Sequence, residues 1–401
     1  MGNRHVVLIA VALAVVTGAG PVGAEDGPTP SAEVSSSASP SPGPAATVRG
    51  PRWAQVRDRD VRDAGILEHM VTLGPEAIAM AQVTDAQGQT RVRVLATEDG
   101  WSWVRRGTIR LTGSVNALLA DGTVLYAAGW DEGATIWRSA DAGRTWATSA
   151  DPGPFAGGAD GLPGTDEGAE VAAIGRGPGG LLAVGEAVDP DTLGRRAAVW
   201  RSADGLAWER VAEAGVWPSF HVLAADASTW VVIGSSSGAA TSPAGADAPV
   251  LRWSADGATW TDAGAEVGAM ERMDGVTALP DGGFLAWGAR LDAPAAPVLT
   301  WWSTDGRSWD RGADDPALGG ADLASVRSLE GGSQVVAVGG VPRGAYAFPL
   351  LGAAWRRDRI RVRTSLCVKD VASVRAILVA VGGSCGGDRQ RGRAWTSPLA
   401  P

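Results

Sequence analysis

One residue, Lys369, is the only lysine among 35 Lys and Arg side chains, so carbonyl-amine chemistry has a single candidate. Of 3 His, His5 lies in an apolar leader, which leaves His69 and His221 far apart in the chain. Together with Cys367 and Cys385 they are too few and too scattered for a zinc cluster of ordinary spacing. No metal and no cofactor is therefore expected. The 2 Tyr, Tyr126 and Tyr346, are the only phenolic nucleophile candidates. Asp and Glu number 44, so a pair of carboxylates flanking a glycosidic bond is neither supported nor excluded. No H-E-x-x-H, G-x-S-x-G or Walker-type loop occurs.

Charge and composition narrow the classes. The formal net charge is −9 across 401 residues, which disfavours a phosphate-binding groove, so no nucleic-acid partner is expected. Hydrophobic residues make up 45% of the chain, enough for a large core. No apolar run reaches the roughly 18 residues that a membrane helix needs. Residues 1–24 read as a secretory signal: Arg4 supplies a positive start, Val6 to Val16 the apolar stretch, and Val22-Gly23-Ala24 the small residues for cleavage. An uncleaved anchor is the alternative. Residues 25–50, rich in Pro, Ser and Ala, read as a flexible spacer with too little apolar surface to fold. A secreted or extracytoplasmic location with no membrane span after cleavage is the expectation. Export makes a disulfide between Cys367 and Cys385 reasonable. A hairpin turning at Arg375-Ala376 brings them within one residue of facing each other.

The elements that would position any site are set by a repeat. Trp137 to Trp146 reads W-R-S-A-D-A-G-R-T-W, Trp200 to Trp208 W-R-S-A-D-G-L-A-W, Arg252 to Trp260 R-W-S-A-D-G-A-T-W, and Trp301 to Trp309 W-W-S-T-D-G-R-S-W. A weaker copy, A-T-E-D-G-W-S-W, contains Asp99 and ends at Trp103. A β-rich hairpin precedes each copy, clearest at 115–129, 171–185 and 276–288, with Asp-Gly or Pro-Gly-Gly turns between alternating apolar runs. Two strands, a variable loop, a third strand, the turn of the box and a fourth strand make one blade of a β-propeller. Blades begin near residues 70, 115, 171, 221, 276 and 326. The sixth has a degenerate box around Asp358, and a seventh begins at Val371 but runs out of chain before its fourth strand. Arg52-Trp53-Ala54-Gln55-Val56 is similar to the post-box strand at 207–211, so the N-terminal segment is expected to complete the seventh blade and close the ring. The expected fold is all-β, with seven four-stranded blades over residues 51–401; six blades is the alternative count.

The segment 139–146 resembles the Asp-box, or BNR repeat, of the sialidase superfamily, whose pattern is S-x-D-x-G-x-T-W. The boxes at Ser202, Ser254 and Ser303 depart from it by one deleted residue. The resemblance covers residues 52–397. The box residues are read as structural: Asp99, then Ser139, Asp141, Gly143 and Trp146, then Ser202, Asp204, Gly205 and Trp208. The later copies supply Ser254, Asp256, Gly257 and Trp260, and Ser303, Asp305, Gly306 and Trp309. Each carboxylate is expected to accept N–H bonds of its own turn, and each Trp to pack between sheets. For a catalytic sialidase the resemblance implies three Arg on the substrate carboxylate, an Asp acid/base, a Tyr–Glu pair and an R-I-P element before the first box. That element is missing here. Tyr126 falls in an apolar strand, and Tyr346 is placed in a sixth-blade loop near Arg343.

Function is therefore expected on the loop face, opposite the boxes, at 147–170, 186–198, 235–249, 289–297 and 340–352. The candidate binding residues are Asp151, Asp160, Asp166, Glu167 and Glu170 in the first loop and Arg343 and Tyr346 in the last. Resemblance to the non-catalytic branch, which includes sortilin-type receptors and photosystem assembly factors, implies an envelope or extracellular protein partner. The alternative is a carbohydrate-binding or glycoside-hydrolysing propeller.

Overall fold

A computed structural model of the protein describes residues 53–85, 89–148, 169–188, 195–211, 219–236, 248–268, 271–293, 295–329, 334–341, 344–351, 354–360, 366–384 and 391–399. The expected leader and spacer, and both the Asp151–Glu167 cluster and Arg343, lie outside them.

Seven small sheets form a seven-bladed β-propeller, antiparallel except where Gly264–Ala265 lies parallel to Ser308–Arg311 at the edge of the fifth blade. The innermost strands are Ile66–Leu73, Ser114–Asp121, Glu170–Gly177, Ser219–Ala225, Glu271–Ala278, Asp322–Ser328 and Leu366–Val374. In the seventh blade the outermost strand is Ala54–Gln55, which pairs antiparallel with Gly392–Pro398. Val56 N–H extends the pairing by donating to the Ala394 carbonyl at 2.9 Å. The N-terminal segment thus closes the ring, as its likeness to residues 207–211 implies.

The second strand of each blade is nearly continuous in apolar residues because both of its faces are covered. Leu181 faces the second blade while Leu182 faces the fourth; Phe284 faces the fourth and Leu285 the sixth. The result is seven apolar clusters, each drawn from two neighbouring blades. A large aromatic from the outer part of a blade sits in each: Trp103, Trp146, Trp208, Trp260, Trp309 and Trp355 for the first six. Trp53 occupies the corresponding place between the sixth and seventh blades, 6% exposed.

One loop assignment needs correction. Residues 340–352 are not a long loop. Val335–Val341 and Gly344–Leu351 form a strand pair, and Tyr346 lies inside the second strand opposite Gly339. The degenerate box of the sixth blade also differs from the rest. Asp358 binds the Arg356 guanidinium at 2.8 and 3.0 Å rather than its own turn.

Because Trp53 is the only aromatic that the closing segment contributes to its cluster, Trp53→Ala should destabilise the fold by about 3–5 kcal/mol, the usual cost of deleting a buried aromatic. Chemical denaturation reads this directly. An unchanged midpoint would mean that the segment does not hold the ring shut.

Candidate functional site

The box turns fix one end of the ring. In each, a carboxylate caps its own turn. Asp141 accepts the backbone N–H of Arg144 and Thr145, at 3.1 and 2.9 Å, and the Thr145 hydroxyl at 2.6 Å. Asp204 accepts from Leu206 and Ala207, Asp256 from Ala258 and Thr259, and Asp305 from Arg307 and Ser308. The Ser hydroxyl receives the N–H of the box glycine at 2.8 Å in all four copies. In the weaker copy Thr97 takes the place of Ser and holds Gly100 N–H at 2.8 Å, while Asp99 accepts from Trp101 and Ser102. Each box glycine also docks on the preceding blade. A Cβ at Gly205, which has φ of +73°, would collide with the Tyr126 ring, so this turn requires glycine for both backbone and space. These carboxylates are spent on their turns, and they sit at the opposite end of the ring from the blade-to-blade links.

The other end opens on a central channel of about 910 Å³ lined by the innermost strands. Its wall carries a device that the sequence analysis missed. Every innermost strand contains a one-residue bulge, and the seven extra residues are Glu68, Asn116, Ala172, His221, Asp274, Ala324 and Lys369. All seven line the channel. A signal for the bulges is present in the sequence. Opposite each bulge the second strand carries Gly129, Gly185, Gly234, Gly288, Gly339 or Gly382 in six of the blades, where the displaced carbonyl of the first strand leaves no room for a Cβ. The first blade has Ala81 there.

Most ionisable groups in the wall are engaged. Asp370 is 2% exposed and receives five hydrogen bonds. Arg327 donates through Nε and Nη2 at 2.9 and 2.7 Å, Ser325 Oγ at 2.7 Å, Met70 N–H at 2.8 Å and Val371 N–H at 2.9 Å. Burial works against the charged carboxylate, but Arg327 and these donors override it and leave the Asp370 carboxyl below the usual range. The cluster joins the sixth, seventh and first blades. Burial pushes His69 down and keeps it neutral, with Nε2 3.2 Å from the Val115 carbonyl. His221 Nε2 lies 2.8 Å from Ser219 Oγ and 3.2 Å from Ser235 Oγ. Burial pushes Asp274 up against the opposing pull of Arg272 at 2.6 Å. Among the described residues no group of three metal-ligating side chains converges.

Of the candidate binding residues only Glu170 and Tyr346 are described, and they stand in different blades. Glu170 opens the innermost strand of the third blade, and Tyr346 packs on Phe348 with the Arg357 guanidinium 5.5 Å from its ring. Tyr126 is buried between the second and third blades, its hydroxyl 3.4 Å from the Asp204 carbonyl. Neither tyrosine lines the channel, and among the described residues Arg327 is the one arginine that does.

No protein-family model and no curated protein matches the chain by sequence. Solved structures match by shape. YCF48 from Cyanidioschyzon merolae aligns with a TM-score of 0.54 and 15% identity, over 86% of this chain and 99% of that one. The Pyrococcus horikoshii acylaminoacyl peptidase aligns at 0.53 and 10% identity, over 85% of this chain but 53% of its own. The polysaccharide lyase Uly1 aligns at 0.52 and 9% identity, over 85% and 91%. At such identities the likeness is one of fold, and the same ring serves proteins of different chemistry.

The box carboxylates make a pH prediction. The hydrogen bonds from Thr145, Ser139 and Arg144 hold the Asp141 carboxyl at about 2, against an ordinary 3.8. A depressed carboxylate contributes stability that is complete above its unfolded value and is lost as pH falls through its folded value. The melting temperature of Asp141→Asn should therefore lie below that of the parent near pH 5, and the gap should close as pH approaches about 2. A gap of constant size across that window would show that the charge of Asp141 does not matter.

Proposed function

We propose that the chain is an exported, non-catalytic Asp-box propeller that binds a protein partner through the face bearing the blade-to-blade links and the connections between second and third strands. The observation that carries this reading is the engagement of Arg327. The channel is where a propeller of this shape would hold a substrate acid, and its arginine is already bound through two nitrogens to Asp370. A substrate carboxylate would have to compete with a buried, bidentate intramolecular partner. The two tyrosines stand elsewhere in the fold. The strand ends that carry the variable connections stand on the link face, on a scaffold held by seven apolar interfaces, which is the usual setting for recognition.

The reading is tested by crosslinking capture with the tagged full chain from the envelope of its own source cells. A protein partner should come down reproducibly, and replacing 237–247 or 289–297 with short Gly-Ser links should abolish capture without lowering the melting temperature. Recovery of glycan or wall polymer with no protein partner would instead support the carbohydrate reading. Capture that is indifferent to both replacements would remove the link face from the proposal.

Export and the disulfide belong to the same proposal. The bulge at Lys369 moves the register of the seventh hairpin by one residue, so that Cys367 faces Gly383 rather than Ser384. Cys385 itself lies outside the described residues. On a regular ladder two positions along is the same-face diagonal neighbour, so we place the partner of Cys367 at Cys385. Intact mass spectrometry of the exported protein should give an N-terminus near Glu25 and a mass lower than the dithiol by two hydrogens. A reducible-mass match to the free dithiol would rule the bridge out.

A further inference from the structure

We infer that the link-side end of the channel binds a zwitterionic α-amino acid with an apolar side chain, its ammonium group held by Glu68 and its carboxylate by Lys369. This site is separate from the loop-mediated partner binding proposed above and does not depend on it.

Among the described residues, seven ionisable side chains line the channel: Glu68, His69, His221, Asp274, Arg327, Lys369 and Asp370. Five are engaged. Arg327 and Asp370 hold each other, Asp274 holds Arg272, His69 donates to the Val115 carbonyl, and His221 sits between two serine hydroxyls. Glu68 and Lys369 have no hydrogen-bonding or ionic partner among the described residues, although both are only half exposed. They are of opposite charge and occupy the same bulge position on neighbouring innermost strands. Those two strands are tied together by Met70 N–H to Asp370 and by Thr72 Oγ1 to the Ser373 carbonyl, each at 2.8 Å. The two charges therefore stand side by side on one wall without closing on each other. A ligand that carries the complementary pair on a short spacer pairs with both at once.

The rest of the cavity sets the ligand's third property. Leu119, Ile174, Val222, Leu223, Val276 and Trp287 contribute aliphatic and aromatic surface to the same space. The lining is about half apolar, so one cavity offers polar groups for a head group and apolar surface for a side chain. The volume exceeds that of a single amino acid, so the site imposes the head group more strictly than the side chain. The bulges are what make this arrangement. Without the extra residue at positions 68 and 369 the strand alternation would place different side chains at this end of the wall.

Isothermal titration of the full chain with glycine, leucine and phenylalanine tests the inference, together with leucinamide, which lacks the carboxylate, and N-acetylleucine, which lacks the ammonium. Leucine and phenylalanine should bind better than glycine, and each blocked derivative should bind at least about tenfold more weakly than leucine. Glu68→Gln should erase the distinction between leucine and N-acetylleucine while keeping that between leucine and leucinamide. Lys369→Met should do the reverse. Neither side chain supports another residue, so both variants should keep the parent melting temperature. No heat from any of the three amino acids at about 10 mM overturns the inference, as does discrimination that neither variant changes.

Discussion

The fold depends on burying two faces of every sheet at once. A four-stranded blade has an apolar stripe on each side, and only a neighbour on each side covers both. A row of such blades leaves two uncovered faces, and a ring leaves none. The seven apolar clusters, each shared by two blades, are this constraint made visible. The box turn works for it rather than for chemistry. Its carboxylate holds the turn, its glycine allows close approach to the preceding blade, and its tryptophan fills the gap between them. In the third blade these act together, since Gly205 meets Tyr126 and Trp208 joins the same cluster.

That division of labour explains why the chemistry-bearing residues and the repeat do not coincide. The repeat is strongest in sequence where the structural demand is strictest, at the box and its tryptophan. The channel wall is built from the opposite ends of the blades. There the demand is only that a bulge fit, and the bulged residue itself is free to be Glu68, Asn116, Ala172, His221, Asp274, Ala324 or Lys369. A rigid ring thus offers seven nearly equivalent positions around one opening, and the chain has varied them independently of the scaffold.

The ring, its seven units and its closing strand were legible because they rest on local patterns: the box, the alternating hairpin and the likeness of residues 53–56 to a post-box strand. The channel was not legible, because Glu68 and Lys369 are distant in sequence and meet only when the ring closes. Their bulges were half-legible. A glycine late in the second strand marks six of the seven, but the hairpin's own pattern explains a glycine there equally well as the start of a turn. Tyr346 was misplaced for a physical reason. Pro349 within Gly344–Leu351 argues against a strand, since proline has no N–H to donate. It is tolerated because the outermost strand of that blade is split into Ala354–Trp355 and Asp358–Ile360.

The closure of the ring is where the fold differs most from its own repeat. Every other blade takes its strands from one stretch of chain, whereas the seventh takes its outermost strand, Ala54–Gln55, from the opposite end of the sequence. At the seam residues from opposite ends of the sequence must find each other. The added entropic cost is modest, since each doubling of a closed loop adds only about 0.6 kcal/mol. The more serious hazard is misregistry, because an apolar face will accept more than one apolar face. Directional polar contacts discriminate where apolar ones do not, and they gather here. Asp58 caps the helix Arg59–Ala64 by accepting from Asp60 and Val61, and its second oxygen accepts from Trp103 N–H of the first box. Arg93 of the first blade reaches the carbonyls of Asp63 and Ala64. On the channel side Asp370 of the last blade takes Met70 N–H of the first and the Arg327 fork of the sixth. Buried charge of this kind adds little net stability over a packed apolar substitute, so its contribution at the seam is best understood as fixing the register. The same requirement fixes Lys369 beside Glu68, since the residue that locks the seam is the immediate neighbour of the lysine on the channel wall.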